Sequence, residues 1–165
     1  MGLVLITLIF GRGRWLEWPR PGANDPFPPH IAGSARPIDG DSLWVAGSEV
    51  RLEGVDAPEA LQTCRRDGAL WECGTEASAA LSRLIGGEAV SCDVSGRDVY
   101  GRLLGRCRAG DRDLNAQMVS DGMAVAYGGY WREEREAKSM KRGLWASEFQ
   151  EPRLWRQEKN KNMGR

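Results

Sequence analysis

Three short segments of the sequence combine carboxylates, arginines and glycines at spacings that suit metal-assisted phosphate chemistry. In the first, Asp39 and Asp41 flank Gly40 just before a predicted strand that starts at Ser42. A glycine bend with an acid on each side would present hard carboxylate oxygens, the ligands that Mg²⁺ and Ca²⁺ prefer. Taken alone, the same pattern is also typical of a plain turn, and both interpretations stay open.

The second segment, residues 50–59, sets an arginine and two acids along a predicted strand and its exit. Alternation along the strand places Arg51 on the face opposite the apolar residues, where it can reach solvent or a ligand. Asp56 follows at the end of the strand, and Pro58 restricts the directions in which Glu59 can point. A surface ladder of salt bridges is the alternative interpretation of this segment.

The third segment, Asp98-Val99-Tyr100-Gly101-Arg102, joins a turn acid, an aromatic residue, a glycine and an arginine. Such a composition is typical of the entry to a hairpin strand, which predicts that Arg102 lies where that strand begins. An exposed hairpin arginine without a catalytic role is the alternative, and the segment by itself does not distinguish the two.

Together these side chains could catalyse the hydrolysis of a phosphodiester. In-line attack on phosphorus places negative charge on the equatorial oxygens, which a cation and guanidinium groups stabilise. Arginine suits this role because its planar fork binds two phosphate oxygens and stays protonated. The sequence has one histidine, His30, so a carboxylate is the expected base, and neither a Ser-His-Asp triad nor a multi-histidine zinc site is expected.

The elements that would position these residues alternate between strands and amphipathic helices. The apolar period at residues 77–85, ended by Gly86, predicts a helix. Asp113 is the expected N-cap of a second helix, and a third is expected at residues 131–141. The predicted strands cover residues 42–46, 49–55, 89–94 and 101–108. This order predicts an α+β domain in which a small barrel carries its helices on one side.

Length and composition fit one folded domain with an additional segment at each end. The chain has 165 residues and a formal net charge of zero, which argues against a grip on nucleic acid by bulk positive charge alone. Residues 1–35 are interpreted as a leader or linker, either an export signal or disordered, because prolines and glycines are frequent near its end without an apolar period. We assign residues 36–146 to the folded domain and residues 147–165 to a basic, mobile tail.

The N-terminus and the cysteines indicate an exported protein. The apolar run at residues 3–10 is too short to span a bilayer, which requires about 20 residues, and resembles the core of an export signal without its basic flank. The four cysteines contain no C-x-x-C pair, and their even number favours two disulfides. Of the three possible pairings we predict Cys64–Cys73 and Cys92–Cys107, with reduced buried thiols in a cytosolic enzyme as the alternative. Disulfides are typical of secreted or periplasmic proteins, and we expect no stable membrane span.

In this order the three segments resemble the sequence elements of the staphylococcal nuclease family. That family shows Asp-Gly-Asp-Thr, Arg-Leu-x-x-x-Asp-x-Pro-Glu and Asp-x-Tyr-Gly-Arg elements, which correspond to residues 39–42, 51–59 and 98–102. Three later pieces match as well: Asp113-Leu114-Asn115, Gly122-Met123-Ala124 and Gly143-Leu144-Trp145. The resemblance implies a five-stranded OB-fold β-barrel with three flanking α-helices. It also implies Ca²⁺-dependent cleavage of DNA and RNA, with an endonuclease mode expected.

Transferred by position, the resemblance assigns roles to the acidic residues. Asp41 and Asp56 correspond to the carboxylate ligands of the cation, and Ala57 offers its backbone carbonyl as a further ligand. Asp39 would support these ligands without touching the cation. Glu59 corresponds to the general base that activates the attacking water.

The resemblance also assigns the residues that would hold the substrate. Arg51 and Arg102 correspond to two phosphate clamps, and Tyr100 and Tyr127 are expected to contact the nucleotide. For Tyr127 this means stacking on a base, with simple packing as the alternative. Ser42 replaces the threonine of the family element, a change that keeps the hydroxyl group.

A non-catalytic OB-fold module that binds nucleic acid or protein is the alternative to an enzyme. We expect an enzyme, because a degenerate copy should have lost at least one of the two metal-binding acids, the two arginines or the base. The partner is expected to be DNA, RNA or both, and the cofactor Ca²⁺ or another divalent cation. We expect the protein to be a monomer.

Overall fold

Eleven short strands and four α-helices follow one another in residues 21–163, the part of the chain that the computed structural model describes. The strands are β1 (His30–Gly33), β2 (Ala35–Pro37), β3 (Ser42–Val45), β4 (Ser48–Leu52), β5 (Val55–Asp56), β6 (Cys64–Arg66), β7 (Ala69–Trp71), β8 (Val90–Arg97), β9 (Leu103–Ala109), β10 (Arg112–Asp113) and β11 (Val125–Ala126). The helices are α1 (Cys73–Ile85), α2 (Leu114–Ser120), α3 (Trp131–Ser139) and α4 (Pro152–Met163), with a short 3₁₀ helix at Gly143–Ala146. The apolar run at residues 3–10, predicted to resemble an export signal, lies outside the described residues.

The main sheet is mixed and has seven strands. Six of them follow the order β1-β8-β9-β4-β3-β2, and β10 pairs with β9. Strands β4 and β9 are parallel, whereas the other neighbours in this sheet are antiparallel. The two end strands, β1 and β2, are consecutive in the chain and separated by Ser34 alone. The predicted α+β class is confirmed, but the described residues contain four α-helices where three were predicted.

Alternation along the strands and the period of α1 place the core as the sequence predicts. In β4 the side chains of Val50 and Leu52 are buried, and Arg51 between them points to the opposite face. Helix α1 buries one apolar stripe and ends at Gly86, whose left-handed φ of 60° is the conformation that favours glycine after a helix. The buried apolar residues of α1 that match the predicted stripe are Ala77, Ala80, Leu81 and Ile85.

The helix signals of the second half are also confirmed. Asp113 caps α2, and its carboxylate accepts a hydrogen bond of 2.9 Å from the backbone N–H of Ala116. In α3 the ammonium group of Lys138 donates to Glu134 at 2.8 Å, the i, i+4 pair that the spacing predicts.

Structure extends beyond the predicted domain on both sides. Strand β1 lies within residues 1–35, which we assigned to the leader. The chain is nevertheless ordered there, because the backbone from His30 to Gly33 pairs with the edge of β8. On the other side, residues 147–165 were expected to be a mobile tail, yet Pro152–Met163 form α4. Proline at the first helical position and a run of good helix formers explain this helix, which lacks a strong apolar stripe.

Two disulfides join the cysteines in the predicted pairing. Cys64–Cys73 connects β6 to the start of α1, and Cys92–Cys107 joins facing residues of β8 and β9. Their sequence separations are 9 and 15 residues, for which the loop-entropy relation gives about 3 kcal/mol of stabilisation each. Disulfides of this kind are typical of extracellular or periplasmic proteins. Among the described helices, none combines the length and the apolar character needed to cross a membrane.

Candidate active site

The acidic turn before β3 is fixed by its own first acid. One carboxylate oxygen of Asp39, Oδ1, accepts hydrogen bonds from the backbone N–H groups of Asp41 at 3.0 Å and Ser42 at 2.8 Å. This is the turn that an Asp side chain forms with the backbone that follows it. Asp39 therefore shapes the turn, and Asp41 is the acid that the turn directs inward.

Asp41 is a buried carboxylate with a partner on each oxygen. Its Oδ1 accepts from Ser42 Oγ at 3.0 Å and Arg51 Nη1 at 2.8 Å, and its Oδ2 accepts from the backbone N–H of Ala57 at 3.0 Å. Burial raises the pKa of Asp41 to about 7, against the opposing effect of Arg51 and with the help of repulsion by Asp39. A buried carboxylate of this kind favours a nearby positive charge.

Arg51 connects the two acids that were predicted to bind the cation. Its Nη1 donates to Asp41 and its Nη2 donates to Asp56 Oδ1, both at 2.8 Å. Burial by itself would lower the pKa of Arg51, but the two carboxylates raise it overall. Because a single guanidinium reaches both acids, Asp41 and Asp56 must lie side by side.

Asp56 lies on β5, which pairs with β11, and its side chain is 2% exposed. A second guanidinium, from Arg156 on α4, binds it in a fork, with Nη1 at 2.9 Å from Oδ1 and Nη2 at 3.1 Å from Oδ2. Arg156 was not among the predicted site residues. Hydrogen bonds to two carboxylates raise its pKa, although its own burial would lower it.

Glu59 lies in the loop after β5 and shares Arg156 with Asp56. Its Oε1 accepts from Arg156 Nη1 at 2.7 Å, and its side chain is 31% exposed. Gln62 holds the loop, since its Oε1 accepts from the N–H of Glu59 at 3.2 Å and its own N–H donates to the Glu59 carbonyl at 2.7 Å. The predicted base is therefore attached to the same cluster as the two buried acids.

Arg102 reaches this cluster from the start of β9. Asp98 holds the guanidinium through Nε and Nη2, both 2.7 Å from Oδ2, and Nη1 donates to Ser42 Oγ at 3.2 Å. Ser42 in turn donates to Asp41, which connects the hairpin segment to the acidic turn. The structure thus brings Arg51, Arg102 and the acids Asp41, Asp56 and Glu59 into one continuous network.

The two tyrosines predicted to contact substrate both lie on the surface, and Tyr100 lies beside Arg102 of this network. Tyr100 is 72% exposed, and the Arg102 guanidinium lies 5.5 Å from the centre of its ring. Tyr127 is 55% exposed and follows β11, and its backbone N–H donates to the Gly54 carbonyl at 2.8 Å. Their exposure leaves both rings available to a ligand, and their substrate contacts stay a prediction.

The oxygen atoms that this network offers are of the chemical type that hard divalent cations prefer as ligands. Asp41 and Asp56 offer buried carboxylate oxygens, and the three acids Asp41, Asp56 and Glu59 outnumber the two guanidiniums, of Arg51 and Arg156, that touch them. Backbone carbonyls and water would complete the coordination, since Ca²⁺ takes six to eight oxygen ligands and Mg²⁺ keeps several waters. Within residues 21–163 no group of three or more His, Cys, Asp or Glu side chains is arranged around one point.

Glu59 also depends on a close approach between its loop and α1. A Cβ atom at Gly74 would lie 1.8 Å from the Glu59 carbonyl oxygen, a distance that forces the backbone to move. Gly74→Ala is therefore expected to lower the free energy of unfolding by about 1–3 kcal/mol, even though alanine is the better helix former. Urea unfolding followed by circular dichroism measures the change.

Gly96→Ala is the matched control for this substitution. A Cβ at Gly96 would meet nothing within 4 Å, so its unfolding free energy should change by less than about 0.5 kcal/mol. If Gly74→Ala were as stable as Gly96→Ala, the contact between α1 and the Glu59 loop would not be a constraint on the site.

Comparison with known families gives one match over most of the chain. A model described as staphylococcal nuclease homologue matches residues 49–147. The matched segment contains Arg51, Asp56, Glu59 and Arg102, and it ends before α4.

Three relatives illustrate the range of proteins with similar sequences. The succinoglycan biosynthesis protein ExoI of Rhizobium meliloti (strain 1021) is 38% identical over 135 residues, which cover 77% of this chain and 69% of the relative. An uncharacterized endonuclease of Escherichia coli is 32% identical over 136 residues, covering 75% of this chain and 83% of the relative. A probable staphylococcal-like nuclease, CAN3, of Oryza sativa subsp. japonica is 35% identical over 125 residues, covering 72% of this chain but 31% of the relative. Two of these three names describe nucleases.

Proposed function

Because the chain belongs to the staphylococcal nuclease family, we propose that it is a divalent-cation-dependent nuclease that hydrolyses phosphodiester bonds of DNA, RNA or both. The observation that carries the proposal is the single network that joins Asp41, Arg51, Asp56, Glu59 and Arg102. These residues come from separate strands and loops, and their hydrogen bonds join two buried acids, two guanidiniums and a possible base in one connected network. Ca²⁺ is the proposed cation, in keeping with the family resemblance.

In this proposal Asp41 and Asp56 hold the cation, with the Ala57 carbonyl as a further ligand. A divalent cation bound there would supply positive charge beside the phosphate and polarise it. Asp39 keeps the turn in place, as its two backbone hydrogen bonds indicate. The burial of both acids strengthens their interaction with any cation, because little water screens it.

Arg51 and Arg102 are proposed to bind the phosphate. Each guanidinium is held by carboxylates on one side, Arg51 by Asp41 and Asp56 and Arg102 by Asp98. Such anchoring fixes the orientation of the fork before substrate arrives, so little reorganisation is needed when charge develops on the phosphate oxygens. Their remaining N–H groups would donate to those oxygens in the transition state.

Glu59 is proposed to remove the proton from the attacking water. Its Oε1 binds Arg156, whereas its Oε2 has no hydrogen-bond partner within the described residues. The free oxygen is the one that can accept a proton. A carboxylate suits this role here because the one histidine of the chain, His30, pairs with Asp93 away from the network.

The substrate is proposed to be a nucleic acid that offers bases to the exposed rings of Tyr100 and Tyr127. Stacking on an aromatic ring tolerates any base, so this arrangement favours cleavage with little sequence preference. Nothing in these contacts selects the sugar, which is why the proposal covers both DNA and RNA.

The proposal extends to the architecture and location of the protein. If β1 and β2 are counted as one bent strand, the order β1-β8-β9-β4-β3-β2 returns to its start and gives the five strands of an OB-fold barrel. The two disulfides support a secreted or periplasmic enzyme. We propose that it acts as a monomer and as an endonuclease.

Removal of the cation tests the function directly. Single-stranded DNA and RNA, incubated with the purified protein in Ca²⁺, Mg²⁺ or chelator and analysed on gels, should be cleaved in a cation-dependent manner. Chelator is expected to lower the rate by about two to three orders of magnitude, because the charge that stabilises the phosphate is lost. Asp56→Asn should produce a loss of similar size at a fixed cation concentration.

Asp67→Asn serves as the control, since Asp67 lies exposed in the turn between β6 and β7 and loses the same charge there. It should cleave at the wild-type rate. A folded wild-type protein without activity in any cation would instead support the non-catalytic binding module, and binding of labelled DNA or RNA would then be measured.

A further inference from the structure

Arg156 occupies the position beside the acids where the proposed cation would bind. Its guanidinium takes both oxygens of Asp56, at 2.9 and 3.1 Å, and the nearer oxygen of Glu59, at 2.7 Å. The Asp56 side chain is 2% exposed, so these contacts replace water on a buried carboxylate. Arg156 therefore neutralises negative charge at the centre of the site, although it lies 100 positions further along the chain than Asp56.

The helix that carries Arg156 is otherwise lightly attached to the domain. From Gln157 to Asn162 every residue of α4 is exposed, and of the preceding residues Pro152 is buried while Trp155 and Arg156 are partly buried. The middle of α4 is fixed by the ion pairs of Arg156 and by one hydrogen bond from Gln150 Nε2 to Glu158 Oε2 at 2.9 Å, and of these the ion pairs of Arg156 alone reach the buried acids.

The segment before α4 is held more firmly. Arg65 and Glu148 exchange two backbone hydrogen bonds, at 2.9 and 2.8 Å. Gln62, which also fixes the Glu59 loop, donates its side-chain Nε2–H to the Gln150 carbonyl at 2.6 Å. Because these anchors precede Pro152, α4 can move about its start while the chain before it stays in place.

Arg156 and a divalent cation cannot both interact fully with Asp56. Arg156 already donates to both carboxylate oxygens, and a cation ligated by the same oxygens would place two further positive charges next to the guanidinium. Repulsion at such a distance is strong where the site is poorly screened by water. One of the two must leave or loosen when the other binds.

We propose that Arg156 is a built-in cation that competes with the divalent ion for Asp56 and Glu59, so that binding of the ion releases α4 from the site. The inference rests on the proposed function, because it assumes that Asp56 is a ligand. In the absence of the ion, Arg156 compensates the buried acids and occupies Glu59. When the ion binds, Arg156 leaves and Glu59 Oε1 becomes free.

Calcium titration of the full chain by isothermal calorimetry tests the competition. Arg156→Gln removes the competing charge and is expected to bind Ca²⁺ at least about tenfold more tightly than wild type. In wild type the ion must first displace the charge-assisted hydrogen bonds of Arg156, and losing one such bond costs enough free energy to weaken binding by about this factor. Arg153→Gln is the matched control, because Arg153 is exposed on the same helix and forms no ion pair within residues 21–163. Its affinity should stay within about twofold of wild type, since exposed charges at a distance are screened by salt.

Hydrogen–deuterium exchange gives a second measurement on the wild-type protein. Saturating Ca²⁺ should increase amide exchange in α4, because the helix loses its contacts with the site. Faster exchange in α4 together with tighter binding by Arg156→Gln would support the proposal. Unchanged or weaker Ca²⁺ affinity of a folded Arg156→Gln protein would overturn it, as would α4 exchange that is unaffected or slowed by Ca²⁺.

The failure of this proposal can be told apart from failure of the nuclease assignment. If wild type binds Ca²⁺ and cleaves nucleic acid while Arg156→Gln binds Ca²⁺ equally well, the competition is wrong and the nuclease stands. If Arg156→Gln instead loses affinity for single-stranded DNA at unchanged Ca²⁺ affinity, Arg156 is a phosphate ligand and the competition is again wrong. If neither protein binds a cation and neither cleaves, both proposals fail.

Discussion

Arg102→Lys is expected to lower kcat for phosphodiester cleavage by about two to three orders of magnitude while the protein remains folded. Arg102 uses two nitrogens to bind Asp98, each at 2.7 Å, and directs a third towards Ser42 at 3.2 Å. A lysine ammonium keeps the charge but is a single point, so it cannot hold Asp98 and present a fork to the phosphate at once. Steady-state cleavage of a short fluorogenic oligonucleotide at saturating Ca²⁺ measures kcat and KM.

Arg108→Lys provides the matched control, within the strand β9 that Arg102 directly precedes. Arg108 is exposed on β9 and donates to the Asp111 carbonyl at 2.9 Å, away from the acids. Its kcat should equal that of wild type. Retention of wild-type kcat by Arg102→Lys would mean that a positive charge alone suffices at this position. Binding of two phosphate oxygens by the planar guanidinium of Arg102 would then be excluded from the proposed mechanism.

The parts of the site that the sequence predicts are those whose geometry is local. The turn at Asp39 forms within three residues, and alternation in β4 alone decides that Arg51 faces away from Val50 and Leu52. The disulfide pairing also follows from short separations, of 9 and 15 residues. In each case a few neighbouring residues determine the outcome, so a pattern in the sequence is sufficient to predict it.

Arg156 could not be found in this way, because its contacts depend on tertiary structure. It lies 100 residues from Asp56 and 97 from Glu59, in a polar helix without a marked apolar stripe. A charged segment of that composition is more often a solvated tail. Leu154 and Trp155 are the apolar residues of this segment next to Arg156, and such a signal indicates docking of the segment without identifying the arginine.

The extra strand β1 was missed for a related reason. Its four residues, His-Ile-Ala-Gly, include a single strongly strand-favouring residue, and it follows a segment rich in proline, so local propensity gave no strand. It forms because β8 offers an edge with which residues 30–33 can pair. This pairing also supports the proposed barrel. Strand β1 at one end of the sheet continues almost directly into β2 at the other end, so the chain itself joins the two ends.

Glu59→Gln is expected to lower kcat by about two to four orders of magnitude, because the amide cannot accept the proton of the attacking water. The change preserves the shape of the side chain, and its amide oxygen can still accept a hydrogen bond from Arg156. The loop should also persist, since Gln62 holds it through the backbone of Glu59. Cleavage rates at saturating Ca²⁺, with the unfolding free energy measured in parallel, separate a chemical loss from a structural one.

Glu148→Gln makes the same change at an exposed position whose described contacts with Arg65 are through the backbone, and it should leave kcat unaltered. A Glu59→Gln protein that is folded, binds Ca²⁺ and keeps kcat within about tenfold of wild type would exclude Glu59 as the base. Its contact with Arg156 would then be its main function, and the attacking water would have to lose its proton to solvent. Arg156 binds Oε1 of Glu59, whereas the free Oε2 is the proposed proton acceptor. Comparing Glu59→Gln with Arg156→Gln therefore distinguishes proton transfer from the control of cation binding.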